Sequence, residues 1–411
     1  MSTTKYLEEN YSSHPAFSFP EKPYRIDLAK IASFDTNYKL AVNGGLEEGA
    51  LFEVAKIKLA AQVSEIFGEM RLQTNDKYER MFLDELESQS LRLLNEELGY
   101  YQSANKSKYP DGDQETRVAT LKTDRHFFDE MGAAAVSRIM DISTPEVNVF
   151  RSRAAQGQLK REDLSANNGP IVGQIVEILN DEFRAQGVLD AVSAYMGFDC
   201  RVGGLAIELS VPQATWWRDT LDTSVPPKTM YAHVDESIIY PKAIVYLSNV
   251  TPANGPTSCY PGVYEELRLN ALQEIIGRVI NYPGHLEGSI LKDHYGKSYH
   301  QTMSSSRFRQ HFMRLPAELR FNSHMGWDVV PGSETEQEFM ARERVMTGAA
   351  GTYIVFDGGR LFHRGGMVES GERIALQVIF ASAIPSPNPS LYRKIISLPR
   401  RIVSKIWRLI K

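Results

Sequence analysis

The stretch YAHVDESIIYPKAIVYLSNV, residues 231–250, sets His233 and Asp235 two positions apart, just ahead of an apolar run that reads as a buried β-strand. In a strand, residues i and i+2 point to the same side, so the one-residue spacer Val234 lets both side chains address the same ion. Far downstream, GTYIVFDGGRLFHRGGMVESGERIALQVIF places His363 after a strand and a glycine-rich turn, with Arg373 opening the next strand. Two neutral imidazoles and one carboxylate fill one face of an octahedral metal and leave the other face open, which is the preference of non-haem Fe(II). The same ligands can serve zinc, but nothing resembles HExxH and no carboxylate is evidently placed as a general base. Ten residues after His363, Arg373 can reach back towards the open metal face and grip a carboxylate with its two-pronged donor geometry, which implies an acidic co-substrate. The structural alternative is an ion pair with Glu369 or Glu372.

The elements that must hold these residues are short and rich in β-branched and aromatic residues. CRVGGLAIELSV, KAIVYLSNV, GTYIVFDGG and RIALQVIFASAI, all after residue 198, read as strands bounded by Gly, Pro and Asn. Before them, LEEGALFEVAKIKLAAQVSEIFGEM, YERMFLDELESQSLRLLNEELGYY, DEMGAAAVSRIM and GPIVGQIVEILNDEFRAQGVLDAVSAYMG carry helical spacing. Residues 1–45 show no sustained period and are expected to wrap the surface. Among the strands, YEELRLNALQEIIGRVINY is helical, and residues 285–350 read as a mixed, hydrophilic insertion. These patterns predict an α+β protein with an all-β catalytic unit. Its expected parts are a mostly helical region 1–198 packed on the core, a core 199–385 with a helical insertion at about 262–350, and a linker and helix at 386–411.

The totals set bounds. The chain has 411 residues, and its 42% hydrophobic and 24% charged residues, with 18 Phe and 19 Tyr, suit a folded globular protein with a sizeable core. Two cysteines without CxxC spacing exclude a disulfide framework and a zinc knuckle, and fit a reducing compartment. A polar start without an apolar h-region, and no apolar run of about eighteen residues, lead to the expectation of a cytoplasmic protein. A net charge of −5 argues against nucleic acid as a partner. The seven cations and no acid of residues 390–411 form a basic tail in which Ile402, Val403, Ile406, Trp407, Leu409 and Ile410 fall on one arc of a helical wheel. Such a tail is expected to touch an anionic membrane surface peripherally, or else to dock on the acidic body.

Together, HVD, YLSNVTPANGPTSCYPG, FDGGRLFHRGG and RIALQV resemble the 2-oxoglutarate- and Fe(II)-dependent oxygenases, within them the phytanoyl-CoA dioxygenase-like group, over roughly residues 200–385. The resemblance implies a double-stranded β-helix, a jelly-roll or cupin-like barrel flanked by helices. It implies that His233, Asp235 and His363 bind Fe(II) and that Arg373 pairs with the distal carboxylate of 2-oxoglutarate. O2 and the keto acid would then supply an oxidant for an unactivated C–H bond, the protein orienting the substrate. Three comparisons with the family pattern are informative. The chain reads YPGVYEEL where many relatives have PGSH, and Ala375 stands where many have Ser or Thr. Asp235 replaces the Ala or Gly of related halogenases, which points to hydroxylation or its desaturating variants.

Other residues are less decisive. Tyr246 and Thr257 occupy barrel positions from which they could touch the co-substrate, ordinary strand packing being the simpler reading for Tyr246. His285, His294, His300, His311 and His324 fit no ligand spacing and are expected at the surface or in a lid. The four arginines of RFRQHFMRLPAELRF form either a solvated face or a receptor for an anionic substrate group, and Trp216 and Trp217 either core or a pocket wall. The expected substrate is a small molecule, or, with the tail at a membrane, a membrane-associated lipid or lipid-linked glycan intermediate. The competing readings are a cupin-like metal-dependent isomerase and a non-catalytic membrane-associated binding protein on an oxygenase-like fold.

Overall fold

The computed structural model describes residues 4–42, 50–107, 115–213, 227–235, 241–280 and 305–383. The strands in chain order are β1 (His126–Glu130), β2 (Ser165–Ala166), β3 (Cys200–Ser210), β4 (Lys242–Tyr246), β5 (Thr257–Tyr260), β6 (Arg344–Met346), β7 (Thr352–Phe356), β8 (Phe362–Gly365) and β9 (Arg373–Ser382). The helices are α1 (Thr4–Ser13), α2 (Leu28–Val42), α3 (Ala50–Arg71), α4 (Lys77–Ser107), α5 (Glu115–Thr123), α6 (Ala133–Ala155), α7 (Pro170–Ala185), α8 (Val188–Met196), α9 (Val263–Leu267), α10 (Ala271–Val279), α11 (Ser306–Arg314) and α12 (Glu334–Ala341).

A large sheet runs β1-β7-β4-β9-β3-β2 and a small one β6-β5-β8, every pairing antiparallel. His233 extends the small sheet by one bridge to His363, with N–H···O bonds of 3.0 and 2.9 Å in the two directions. From β3 the chain passes to the 233 segment, then to β4, β5 and β6, β7, β8 and β9, crossing between the sheets. That winding is a double-stranded β-helix, the form the resemblance implied, while the strand pattern by itself had pointed only to an all-β unit.

Period-two alternation divides the core. Ile244, Tyr246, Cys259, Met346, Ile354, Phe356 and Ala375 fill the space between the sheets. Ala243, Val245, Tyr353, Val355, Leu376 and Val378 point outward, where the apolar faces of α6, α7 and α8 cover the large sheet. Both faces are covered, which is why AIVYL is continuously apolar. A third cluster joins α1–α4 to α10, α11 and α12 and caps the small sheet through Tyr260 and Phe362.

Three expectations change. Residues 4–42 are not a surface wrap, because Leu7 and Tyr11 on α1 and Ile31, Phe34, Tyr38 and Ala41 on α2 are buried in that third cluster. The 3,4,3 spacing on α2 was a helical signal, hidden by the prolines before it. Residues 305–341 are not a hydrophilic excursion either, since Phe308, Phe312, Leu315, Leu319 and Phe321 are fully enclosed. Finally, β1 lies within the region read as helical and pairs with β7 from His126↔Phe356 to Glu130↔Thr352. Five residues, HFFDE, carry no alternation strong enough to show this, and the partner strand decides it.

Candidate metal and co-substrate site

The site stands where the 233 segment meets β8 and the turn after β7. Tyr231 has φ 70°, a left-handed conformation that costs a bulky residue of order 1 kcal/mol and is tolerated only when neighbours over-determine it. Here the Ala232 N–H donates to Thr229 O (2.8 Å) and the Val234 N–H to Ser323 O (2.8 Å), pinning the chain on both sides. The Tyr231 carbonyl accepts from His233 Nδ1 at 3.0 Å, and the Leu361 carbonyl from His363 Nδ1 at 2.9 Å. A carbonyl can only accept, so in both rings Nδ1 carries the proton and the Nε2 lone pair is left for a metal.

The two Nε2 atoms lie 4.0 and 3.8 Å from Asp235 Oδ1, and the three ligand atoms fall within 4.8 Å of one another. Burial pulls the His233 pKa down to about 4, helped by the neighbouring His363, and burial also lowers that of His363, so both rings are neutral at pH 7. For Asp235 burial works upward, but the Lys242 ammonium, 2.7 Å from Oδ1, leads the neighbours that hold its carboxyl below the usual range. Asp235 Oδ2 is enclosed and has no hydrogen-bond partner among the described residues, while the Asp235 N–H donates to Gly358 O at 2.8 Å. Neutral imidazoles with tethered Nδ1 atoms, an ionised carboxylate and an unsatisfied enclosed oxygen fit a divalent ion.

Arg373 lies across the barrel interior. Its Nη1 donates to Gly255 O, its Nη2 lies 3.2 Å from Ser210 Oγ, and its enclosed Nε has no partner. Glu372 is held instead by Arg151 on α6 at 3.1 Å, and Glu369 is exposed, so among the described residues Arg373 has no carboxylate partner. Gly255 has φ 70° and packs against Gly366 and Val368 so tightly that a side chain would strike backbone 2.6 Å away, which is why the ANGPT turn can present its carbonyl to the guanidinium. Thr257 sits opposite Gly365 and donates its N–H to the Tyr246 hydroxyl at 2.8 Å, and that hydroxyl donates to Met346 O at 2.9 Å. Tyr246, Thr257 and Arg373 thus converge on one end of the interior, with the hydroxyl of Tyr246 engaged by backbone.

No protein-family model and no curated protein matches the sequence. Solved structures do. EctD from S. alaskensis in its apo form matches with a TM-score of 0.36 and 13% identity over 67% of this chain and 80% of that one. The non-haem α-ketoglutarate-dependent epimerase SnoN from nogalamycin biosynthesis matches at 0.31 and 14% over 66% and 83%. The carbocyclase SnoK of the same biosynthesis matches at 0.33 and 12% over 67% and 87%. The chain is similar to each of these at low sequence identity. EctD has also been solved with bound Fe, and with 2-oxoglutarate and 5-hydroxyectoine.

Two residues at the site escaped the sequence reading. His324 is not a surface or lid residue: it is buried and stacks on the His233 ring, centroids 4.7 Å apart and planes 14° apart. Its N–H donates to Asn322 Oδ1 (3.0 Å), and Asn322 donates to Asp328. The end of the insertion returns beside the 233 segment, a contact with no local signature. Lys242 had a signal, since alternation along β4 puts it on the inward face with Ile244 and Tyr246. His311 is buried as well, whereas His285, His294, His300, Trp216, Trp217 and the tail 390–411 lie outside the described residues. The arginines of the insertion serve the fold: Arg309 donates to Ala16 O, Arg314 lies over the Tyr24 ring and beside Glu79, Arg320 donates to Leu315 O, and Arg307 lies over Tyr78. Among the described residues no helix is long and apolar enough to cross a membrane.

Proposed function

We propose that the chain is a 2-oxoglutarate- and Fe(II)-dependent dioxygenase that hydroxylates or otherwise oxidises an unactivated C–H bond of a small-molecule or lipid-linked substrate. The observation that carries this reading is the meeting of His233, Asp235 and His363 around one point, with both Nε2 lone pairs free and a carboxylate-free arginine further into the same barrel. Gly365, whose position for a side chain is 3.4 Å from Arg373 Nη2, stands two residues beyond His363 on the same face, about 7 Å along the strand. That spacing suits a five-carbon dicarboxylate with its keto acid at the triad and its far carboxylate on the guanidinium.

The chain's own residues have defined tasks. His233, Asp235 and His363 would hold Fe(II), and the carbonyls of Tyr231 and Leu361 keep the rings turned towards it. Arg373 would fix the co-substrate, with the Gly255 carbonyl and Ser210 orienting its fork. Ile354, Phe356 and Met346 keep the interior dry, which strengthens each charge contact. When bound, iron and 2-oxoglutarate supply O2-dependent oxidation with loss of CO2 and formation of succinate.

The test is anaerobic titration with Fe(II) and then 2-oxoglutarate, followed by O2-dependent succinate release. A visible charge-transfer band should form on chelation. Arg373→Met should weaken 2-oxoglutarate binding by at least about tenfold, the loss of a charge-assisted bidentate contact, and leave metal affinity unchanged. Metal binding without the band would move the isomerase reading ahead, and absence of both would leave a binding protein.

A further inference from the structure

Lys242 opens β4 and faces inward. Its ammonium lies on Asp235 Oδ1, the same oxygen that stands 3.8 and 4.0 Å from the two imidazole Nε2 atoms. Phe356, directly across from Lys242 on β7, packs against the His363 ring at 4.7 Å, so the lysine and the triad share one apolar wall. This pairing offsets the charge of the buried carboxylate. A divalent ion between the three ligand atoms would have to share Oδ1 with the ammonium, and two cations on one oxygen in a poorly hydrated site repel strongly. Lysine's flexible four-carbon stem lets the ammonium move where an arginine fork would not. Among the described residues Asp235 is the one carboxylate that Lys242 pairs with.

We propose that Lys242 is a mobile counter-charge exchanged between metal and co-substrate: it neutralises Asp235 in the metal-free site, leaves Oδ1 when a divalent ion binds, and then pairs with a carboxylate of the incoming keto acid. This rests on the metal and 2-oxoglutarate reading above. Its consequence is reciprocal coupling, in which each ligand binds more tightly in the presence of the other and part of that gain belongs to Lys242.

Calorimetry with Mn2+ on the full chain, with and without saturating 2-oxoglutarate, tests the exchange. Lys242→Met should bind Mn2+ at least about tenfold more tightly than the wild type, the low end for a close charge pair, and the gain that 2-oxoglutarate confers on Mn2+ affinity should shrink by a similar factor. Reductive methylation of the wild type, read at Lys242 by mass spectrometry, needs no variant. Labelling should rise when Mn2+ is added and fall again with 2-oxoglutarate. Equal Mn2+ affinity in wild type and Lys242→Met, or labelling constant across the three states, overturns the exchange and leaves the metal site standing. A wild type that takes up no Mn2+ overturns both.

Discussion

Gly358→Ala probes whether the turn after β7 is shaped around the Asp235 carboxylate. A Cβ at this position would stand 1.9 Å from Asp235 Oδ2 and 2.9 Å from its Cγ, so the carboxylate would have to retreat by roughly 1.5 Å to reach a normal contact. It cannot retreat freely, because the Asp235 N–H is bound to Gly358 O and the 233 segment is bridged to β8. Overpacking of this kind costs about 1–3 kcal/mol of stability. Displacing a ligand or its support typically lowers metal affinity about 10- to 100-fold. The expected outcome by Mn2+ calorimetry is therefore a loss in that range, with a folded protein by circular dichroism and a modestly lower Tm. Gly173→Ala is the control: it lies in α7 with open space around it, so metal affinity should hold and stability should rise slightly, by up to about 1 kcal/mol. A folded Gly358→Ala protein with wild-type Mn2+ affinity would refute the claim that this backbone sets the carboxylate.

Two further variants test the frame around the site. Arg278, fully buried on α10, donates to Glu97 (3.0 Å), the Tyr264 hydroxyl (3.0 Å) and Gly359 O (3.3 Å), tying α4 and α10 to the turn before His363. Arg278→Met should destabilise by about 3–5 kcal/mol because Glu97 is left buried without a counter-ion, and adding Glu97→Leu should recover much of that in denaturant unfolding. A double variant less stable than the single would contradict this. Burial raises the Asp328 pKa to about 7, against the hydrogen bonds from Asn322 and Tyr11. Between about pH 4 and 7 the folded chain holds a proton that the unfolded chain has released, so stability falls as pH rises through that window and levels off above it. Asp328→Asn should flatten this fall, exceeding the wild type at pH 8 by at most about 4 kcal/mol and converging with it near pH 4. Parallel Tm–pH curves for the two proteins would refute the assignment.

The positions of His233, Asp235, His363 and Arg373 were legible in sequence from their spacing beside predicted strands, and the resemblance to the oxygenases implied their roles. The structure brings the first three together, His233 through a single bridge to His363 rather than through a strand of its own. The helices of residues 50–196 were legible from their spacing as well, with one break unforeseen: Gly187, at φ 72°, divides α7 from α8 in a stretch that reads as one helix. What the tertiary structure alone decided are meetings between remote segments. It placed β1 at the edge of the large sheet and enclosed α1 and α2 under the insertion. It laid His324 flat on His233. It sent Glu372 to Arg151, leaving Arg373 without a carboxylate partner among the described residues. Periodicity assigns a residue to a face, but which charges and rings share that face depends on how distant strands and loops close on one another.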